Sequence, residues 1–109
     1  MIEMKMADES LKQKLGAEFD VYVLYNGNEI MGWSEFEATS PNGIIHKIEC
    51  DDALLVDGLL RQTMFYMAQK MCLIAGLDKD LAAKLQNFHF IKENEIEIKI
   101  SEFFSKGCH

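Results

Sequence analysis

The segment from Asp52 to Ala75, DALLVDGLLRQTMFYMAQKMCLIA, places the strongest constraint on how this chain can fold. On a helical wheel of 100° per residue its apolar side chains form two neighbouring stripes, whereas a helix docked on one sheet needs only one. We therefore predict one long central helix with a surplus apolar face. The first stripe contains Val56, Leu60, Met64, Met67, Met71 and Ile74, and the second contains Leu55, Leu59, Tyr66 and Leu73.

The second stripe of this helix is a candidate interface between two copies of the chain. Burial of a large apolar side chain contributes about 1.5–3 kcal/mol, so four of them are costly to leave in water. Either the C-terminal elements of the same chain cover the stripe or a second copy does. We favour a homodimer formed through the helix, with Leu55, Leu59, Tyr66 and Leu73 at its interface.

Three strands are predicted before the helix. Residues 19–25 are β-branched and aromatic, and the Asn-Gly pair at 26–27 is a strong hairpin signal. The return strand covers residues 29–39, and the Ser-Pro-Asn-Gly turn at 40–43 leads into a third strand that ends at Cys50. The pattern indicates a three-stranded antiparallel meander.

Shorter elements are predicted on either side of this unit. Residues 7–15 form a short helix, and Asp78 caps another with Leu81, Ala82 and Leu85 on its buried edge. The tail forms a hairpin, with arms at 88–91 and 95–100 around a turn at 92–94.

The resulting order is α-βββ-α-α-ββ, which predicts an α+β fold with an antiparallel sheet and its helices on one face. A chain of 109 residues is one domain, spanning residues 1–109. We expect residues 1–6 and 105–109 to fray, although the alternation of Ile2, Met4 and Met6 also allows a short strand.

The α-βββ-α order resembles the double-stranded-RNA-binding domain in outline. That family reads phosphates with lysines at the start of its last helix. Asp51, Asp52 and Asp57 stand there in this sequence, so we do not carry the function across.

The charge of the chain limits its partners. The net charge is −7, with 18 acidic against 11 basic side chains, which disfavours direct binding to nucleic acid or to an anionic membrane. A basic protein would be attracted. No apolar run approaches the ~18 residues of a membrane span, and the first residues lack a signal-peptide pattern, so we expect a cytoplasmic protein.

We expect neither a metal nor a cofactor. The possible ligands lack metal-site spacing, and an odd number of scattered cysteines favours reduced thiols. His46 and Cys50 share a strand face, but four residues of strand separate them by roughly 13 Å, too far for one ion. The possible ligands are His46, His89, His109, Cys50, Cys72 and Cys108.

No catalytic motif is evident either. Glu35 and Glu37 lie about 7 Å apart by strand rise, near separations used in glycoside hydrolysis, but alternating glutamates are more often a solvated face. The chain has no Gly-x-Gly-x-x-Gly motif and no P-loop. We therefore predict that it is not an enzyme.

The remaining candidate site surrounds the single tryptophan. An apolar anchor among charges is typical of a protein interface, and it also suits the edge of a small-ligand pocket. The alternative is that Trp33 covers the core at the sheet margin. The predicted partner-binding surface contains Met31, Trp33, Glu35 and Glu37.

These observations lead to two functional hypotheses. The first is a non-enzymatic, acidic interaction module that self-associates and binds or inhibits a basic or nucleic-acid-handling protein, as phage inhibitors of host defence do. The alternative is a domain that binds or sequesters a small ligand, between the sheet and the long helix or at a dimer interface.

Overall fold

The computed structural model describes residues 2–91 and 96–106, the last two of them by their backbone alone. In these residues six strands form one mixed sheet in the order β1-β2-β3-β4-β5-β6, accompanied by four helices. The elements are β1 Ile2–Met6, α1 Glu9–Leu15, β2 Asp20–Asn26, β3 Glu29–Glu37, β4 Asn42–Glu49, α2 Ala53–Gln69, β5 Ile74–Leu77, α3 Lys79–Asn87, β6 Glu97–Lys99 and α4 Ile100–Lys106.

Strands β1 to β4 are antiparallel neighbours in chain order. Residues 2–6, which we expected to fray, pair with β2 from Ile2 opposite Asn26 to Met6 opposite Tyr22. The alternation along β3 places Ser34 and Phe36 toward α2, where they contact Thr63 and Tyr66. The other face of β3 carries the residues of the predicted partner-binding surface.

The predicted fold class is wrong, because β4 and β5 are parallel and belong to one six-stranded mixed sheet. Parallel neighbours require a crossover of a dozen or more residues, and α2 provides it. We expected an antiparallel meander, a separate hairpin and a helix that continued to Ala75. The apolar residues from Ile74 onward instead form the fifth strand, with Asn42 opposite Ile74 and Ile45 opposite Leu77.

Helix α2 begins at Ala53 and ends at Gln69, so it is shorter than the predicted 52–75 helix. Asp52 is its N-cap, and the chain turns after Lys70, where Met71 adopts a φ of 68°. The helix packs its buried residues on the sheet. These are Val56, Leu59, Leu60, Thr63, Met64 and Met67.

The predicted C-terminal hairpin is also wrong. Residues 88–91 form no strand, and the expected turn at 92–94 lies outside the described residues. Strand β6 pairs with β5, with Ala75 opposite Ile98, and the chain then continues as α4. The prediction for α3 is confirmed, since Asp78 caps it and its buried residues are Leu81, Ala82 and Leu85. No helix in the described part of the chain is long and apolar enough to cross a membrane.

One buried polar contact joins α2 to β3 in the middle of the core. The Ser34 and Thr63 hydroxyl oxygens lie 2.6 Å apart, and both residues are completely buried. Replacing Thr63 by valine leaves the Ser34 hydroxyl without this partner in an apolar environment. We expect Thr63→Val to lower the free energy of unfolding by about 1–3 kcal/mol.

A double-mutant cycle measured by denaturant unfolding tests this coupling. The combined Ser34→Ala and Thr63→Val variant should lose less stability than the sum of the two single variants. Thr39→Val is a control, because Thr39 is exposed. Additive losses would show that the two hydroxyls are energetically independent.

Candidate functional site

A β-bulge interrupts the pairing of β3 with β4 at His46. Glu35 lies opposite Lys47 and Phe36 lies opposite Ile45, so His46 is the extra residue. The bulge turns the imidazole toward the end of β3, where His46 Nε2 lies 2.6 Å from a Glu37 carboxylate oxygen. The Phe19 ring stacks on the imidazole with 4.5 Å between centroids. The bulge thus places a histidine whose ring contacts Glu37 at Nε2 and Phe19 on its face.

The Glu37 carboxylate defines the chemical form of this pair. A carboxylate accepts hydrogen bonds, so the Nε2–H of His46 is the donor in this contact, and Nδ1 is the ring atom left to exchange a proton. Both side chains keep about a third of their surface exposed, 29% for His46 and 33% for Glu37. The arrangement is that of an imidazole oriented by an acid, which suits a general base.

Strands β4 and β5 separate close to this histidine. Their residue pairing ends at Ile45 opposite Leu77, with one further bond from the Asp78 amide to the Ile45 carbonyl. Strand β4 continues to Glu49, so its last residues have no β5 residue beside them. A groove of about 390 Å³ runs there. Its lining consists of His46, Lys47, Ile48, Glu49, Asp78, Asp80, Leu81 and Lys84.

A second depression, of about 310 Å³, lies on the Glu37 side. Glu18, Phe19, Asp20 and Glu37 contribute to its lining. Because His46 lines the first depression and Glu37 lines the second, their hydrogen bond connects the two. The Glu37–His46 pair thus lies between two depressions, each of which could bind a different molecule.

Glu35 has a different role from Glu37, although the sequence placed both on one surface. One Glu35 carboxylate oxygen accepts hydrogen bonds from the Glu18 and Phe19 amides, at 2.8 and 3.1 Å. It therefore holds the segment that carries the Phe19 ring against His46. Glu35 acts on the backbone and positions the site, while Glu37 contacts the imidazole directly.

Met31 and Trp33, the apolar members of the predicted partner-binding surface, lie further along β3. Met31 is the extra residue of a second bulge, between Leu24 opposite Gly32 and Tyr25 opposite Ile30, and is exposed. Trp33 is partly buried opposite Val23 and Glu49. The binding of a partner by this surface stays a prediction.

The four residues of the predicted dimer interface do not form one surface. Leu59 is completely buried in the core, and the Tyr66 ring contacts Tyr22 and Phe36. Leu55 is partly buried, whereas Leu73 lies beyond the helix and is 68% exposed. Self-association stays a prediction.

An apolar groove of about 520 Å³ lies beside Leu73, at the C-terminal end of α2. Met71, Ile74 and Phe104 contribute to its lining. Cys72, buried at its base, donates a weak hydrogen bond to the Thr39 carbonyl, and burial raises the pKa of the Cys72 thiol. No group of three or more His, Cys, Asp and Glu side chains could hold a metal within residues 2–91 and 96–106.

The N-terminus of α2 follows the groove after only a few residues. The Asp52 carboxylate accepts hydrogen bonds from the Leu54 and Leu55 amides, at 2.9 and 3.3 Å. These amides would otherwise be available to an anion at the positive end of the helix dipole. The acidic side chains of Asp51 and Asp57 stand next to them in sequence.

The fold of this chain has counterparts in solved structures. A protein from Desulfovibrio desulfuricans assigned to the GNAT acetyltransferase family matches with a TM-score of 0.62 at 8% identity, over 82% of each chain. A GNAT-family acetyltransferase from Streptococcus pneumoniae matches with a TM-score of 0.52 at 12% identity, over 84% of this chain and 88% of that one. The fold is GNAT-like. No protein-family model and no curated protein matches the sequence.

This comparison overturns the predicted function. We expected a non-enzymatic interaction module or phage-type inhibitor, with a small-ligand-binding domain as the alternative. The solved structures that share the GNAT-like fold are instead named as acetyltransferases. At 8% and 12% identity the likeness shows the fold of this chain and does not show its activity.

The contact of Glu37 with His46 was missed in the sequence. It depends on a register that places Glu37 opposite Ile44 and on the bulge that leaves His46 as the extra residue, and neither has a local sequence signal. We considered His46 only with Cys50, on its own strand, and Glu37 only with Glu35. In the structure Cys50 is a buried free thiol.

The different roles of Glu35 and Glu37 predict different effects on stability. Glu35→Ala removes the acceptor for two backbone amides and should lower the free energy of unfolding by about 1–3 kcal/mol. Glu37→Ala removes a partly exposed contact with His46 and should cost about 0–1 kcal/mol. Urea unfolding of both variants measures the difference, and equal losses would contradict the two roles.

The raised pKa of Cys72 predicts low reactivity, because only the thiolate is nucleophilic. In the Cys50→Ala and Cys108→Ser double variant, Cys72 is the single thiol of the chain. A thiol-specific reagent at pH 8 should label it at least about 100-fold more slowly in the native protein than in denaturant. Equal rates in the two conditions would show that Cys72 is accessible.

Proposed function

We propose that this chain is an acyltransferase that moves an acyl group from a thioester to an amine. The contact between Glu37 and His46, standing between two depressions where β4 and β5 part, carries the proposal. Two substrates must meet at a group-transfer site, with a base beside the nucleophile. The acetyltransferases that share the fold support the same class of reaction.

The acceptor binds in the depression that contains Glu37. Glu18 and Asp20 place further carboxylates there, so a cationic amine is attracted electrostatically. Lys12 also lines this depression, but its ammonium group pairs with Glu9 at 3.4 Å. An amine is charged in water and must lose a proton before it can attack.

His46 accepts that proton, because its Nδ1 lone pair is the basic position of the ring while Nε2–H donates to Glu37. The amine nitrogen then forms a bond to the acyl carbon, and the carbon–sulfur bond breaks. The nitrogen loses a second proton as the carbon–sulfur bond breaks, and the departing sulfur takes it, so the products are an amide and a free thiol, with the first proton on His46. Glu37 keeps the imidazole oriented and stabilises its protonated form.

The donor lies in the groove beside the open end of β4. Acetyl-coenzyme A is a common biological acetyl donor, and its diphosphate needs free amides or cations. The N-terminus of α2 does not fit such a group, because Asp52 already occupies the Leu54 and Leu55 amides. No part of the proposed reaction depends on a diphosphate bound there.

The remaining expectations from the sequence belong to this proposal as well. An intracellular location agrees with the free, buried Cys50 and Cys72 thiols. Self-association and a basic protein partner also remain proposals. A basic protein with an exposed lysine is one form that the amine acceptor could take.

Substitution of the base pair tests the proposal. We expect wild-type protein to release thiol from an acetyl thioester when amines are present, in an assay with polyamines and lysine peptides. Glu37→Gln and His46→Gln should each reduce kcat/KM by about 10²–10⁴-fold, because the proton acceptor is lost or misoriented. Thermal unfolding should change little, since the pair is partly exposed.

Glu29→Gln is the matched control, because Glu29 lies on the same strand and is exposed at its other end. Its activity should equal that of the wild type. The proposal is wrong if wild-type protein releases no thiol with any of the amines. It is also wrong if both site variants are fully active.

A further inference from the structure

The groove beside β4 leads directly to the N-terminus of α2. Ala53, the first residue of the helix, is four positions after Glu49, which lines the groove. Even a fully extended chain spans no more than about 14 Å over that distance. A donor long enough to leave the groove at the Glu49 end therefore meets the first turn of α2.

The first turn of α2 does not suit the binding of a phosphate. The Asp52 carboxylate already accepts hydrogen bonds from the Leu54 and Leu55 amides, so an incoming anion would have to displace it. Asp51 adds negative charge next to it in sequence. Helix N-termini that bind phosphate offer their amides free and keep anionic side chains away.

Among the described residues no ion pair joins a lysine or arginine to Asp51 or Asp52. The sequence from Ile48 to Leu60 contains no lysine or arginine. The Arg61 guanidinium donates to Asp57 at 2.9 Å and lies over the Phe103 ring. Lys84 lines the groove, but its ammonium group donates to the Ile48 carbonyl at 2.9 Å. Arg61 and Lys84 are thus engaged by the chain itself, whereas Lys47, which also lines the groove, has an exposed side chain.

The groove itself suits an uncharged arm that carries amide groups. Its wall is the edge of β4 beyond Ile45, where no β5 residue pairs and the Ile48 carbonyl accepts a hydrogen bond from the Lys84 ammonium group instead of from a strand. Amide donors and acceptors can pair with such an edge as another strand would. A neutral arm also avoids repulsion from Glu49, Asp78 and Asp80.

We infer that the acyl donor of this chain is a nucleotide-free thioester of the pantetheine type, and that Asp52 excludes the nucleotide diphosphate. The inference rests on the proposed acyl transfer and adds the chemical class of its donor. The protein recognises the donor by binding its amide-bearing arm in the groove. The nucleotide of a larger donor contributes nothing to binding.

Binding is measured first, by amide chemical-shift changes on addition of pantetheine and, separately, of adenosine 3′,5′-bisphosphate. Pantetheine should shift the amides of Lys47 to Glu49, and the nucleotide should leave those of Leu54 and Leu55 unchanged. Nucleotide binding at Leu54 and Leu55, or a lack of pantetheine binding in the groove, would overturn the inference. Pantetheine binding without acyl transfer would count against the proposed function alone.

Kinetics with two donors give the second readout. The kcat/KM values for S-acetyl-pantetheine and acetyl-coenzyme A should agree within about threefold, and a preference above about tenfold for acetyl-coenzyme A would refute the inference. Asp52→Ser retains an N-cap but removes the charge, so it should favour acetyl-coenzyme A over acetyl-pantetheine by at least about fivefold relative to the wild type.

Asp8→Ser is the matched control, because Asp8 caps α1 through the Leu11 amide at 2.9 Å and lies outside both depressions. It should leave the ratio of the two donors unchanged. An equal shift in Asp8→Ser and Asp52→Ser would show that overall charge, rather than the α2 cap, sets the donor preference and would also refute the inference.

Discussion

The parallel pairing of β4 with β5 is the constraint on which the rest of the structure depends. It requires α2 to cross over the sheet and return the chain to the starting end of β4. Gly43 makes the close packing possible, because a Cβ there would collide with the Met67 methyl group and lie 2.6 Å from the Glu37 carbonyl. The crossover, the position of Met67 and the turn into β5 therefore belong to one packing arrangement.

The chemistry of the site follows from the two different ends of β4. Its first half is paired on both sides, with β3 and β5, whereas its last residues have β3 alone. The bulge at His46 falls at this change and brings the imidazole to Glu37. The fold thereby places a base beside an open strand edge.

The acidic residues of the chain divide into separate roles that composition does not distinguish. Glu35 holds backbone amides, Glu37 orients His46, and Asp52 caps α2. The net charge of −7 describes their sum. It suggested one acidic surface for a basic partner, but each of these carboxylates contacts a different group of the chain itself.

The sequence by itself determined the local elements whose signals lie within a few residues. It predicted the β2–β3 hairpin, the capping of α3 by Asp78 and the inward face of β3 at Ser34 and Phe36. It failed at Ile74–Leu77, because a short apolar run after a helix has no periodicity that distinguishes more helix from a buried parallel strand. The strand conformation of Ile74–Leu77 depends on tertiary structure, because its hydrogen bonds go to β4, about thirty residues earlier in the chain. The same holds for Glu37 and His46, whose contact depends on the register and bulge between two strands, which no local pattern specifies.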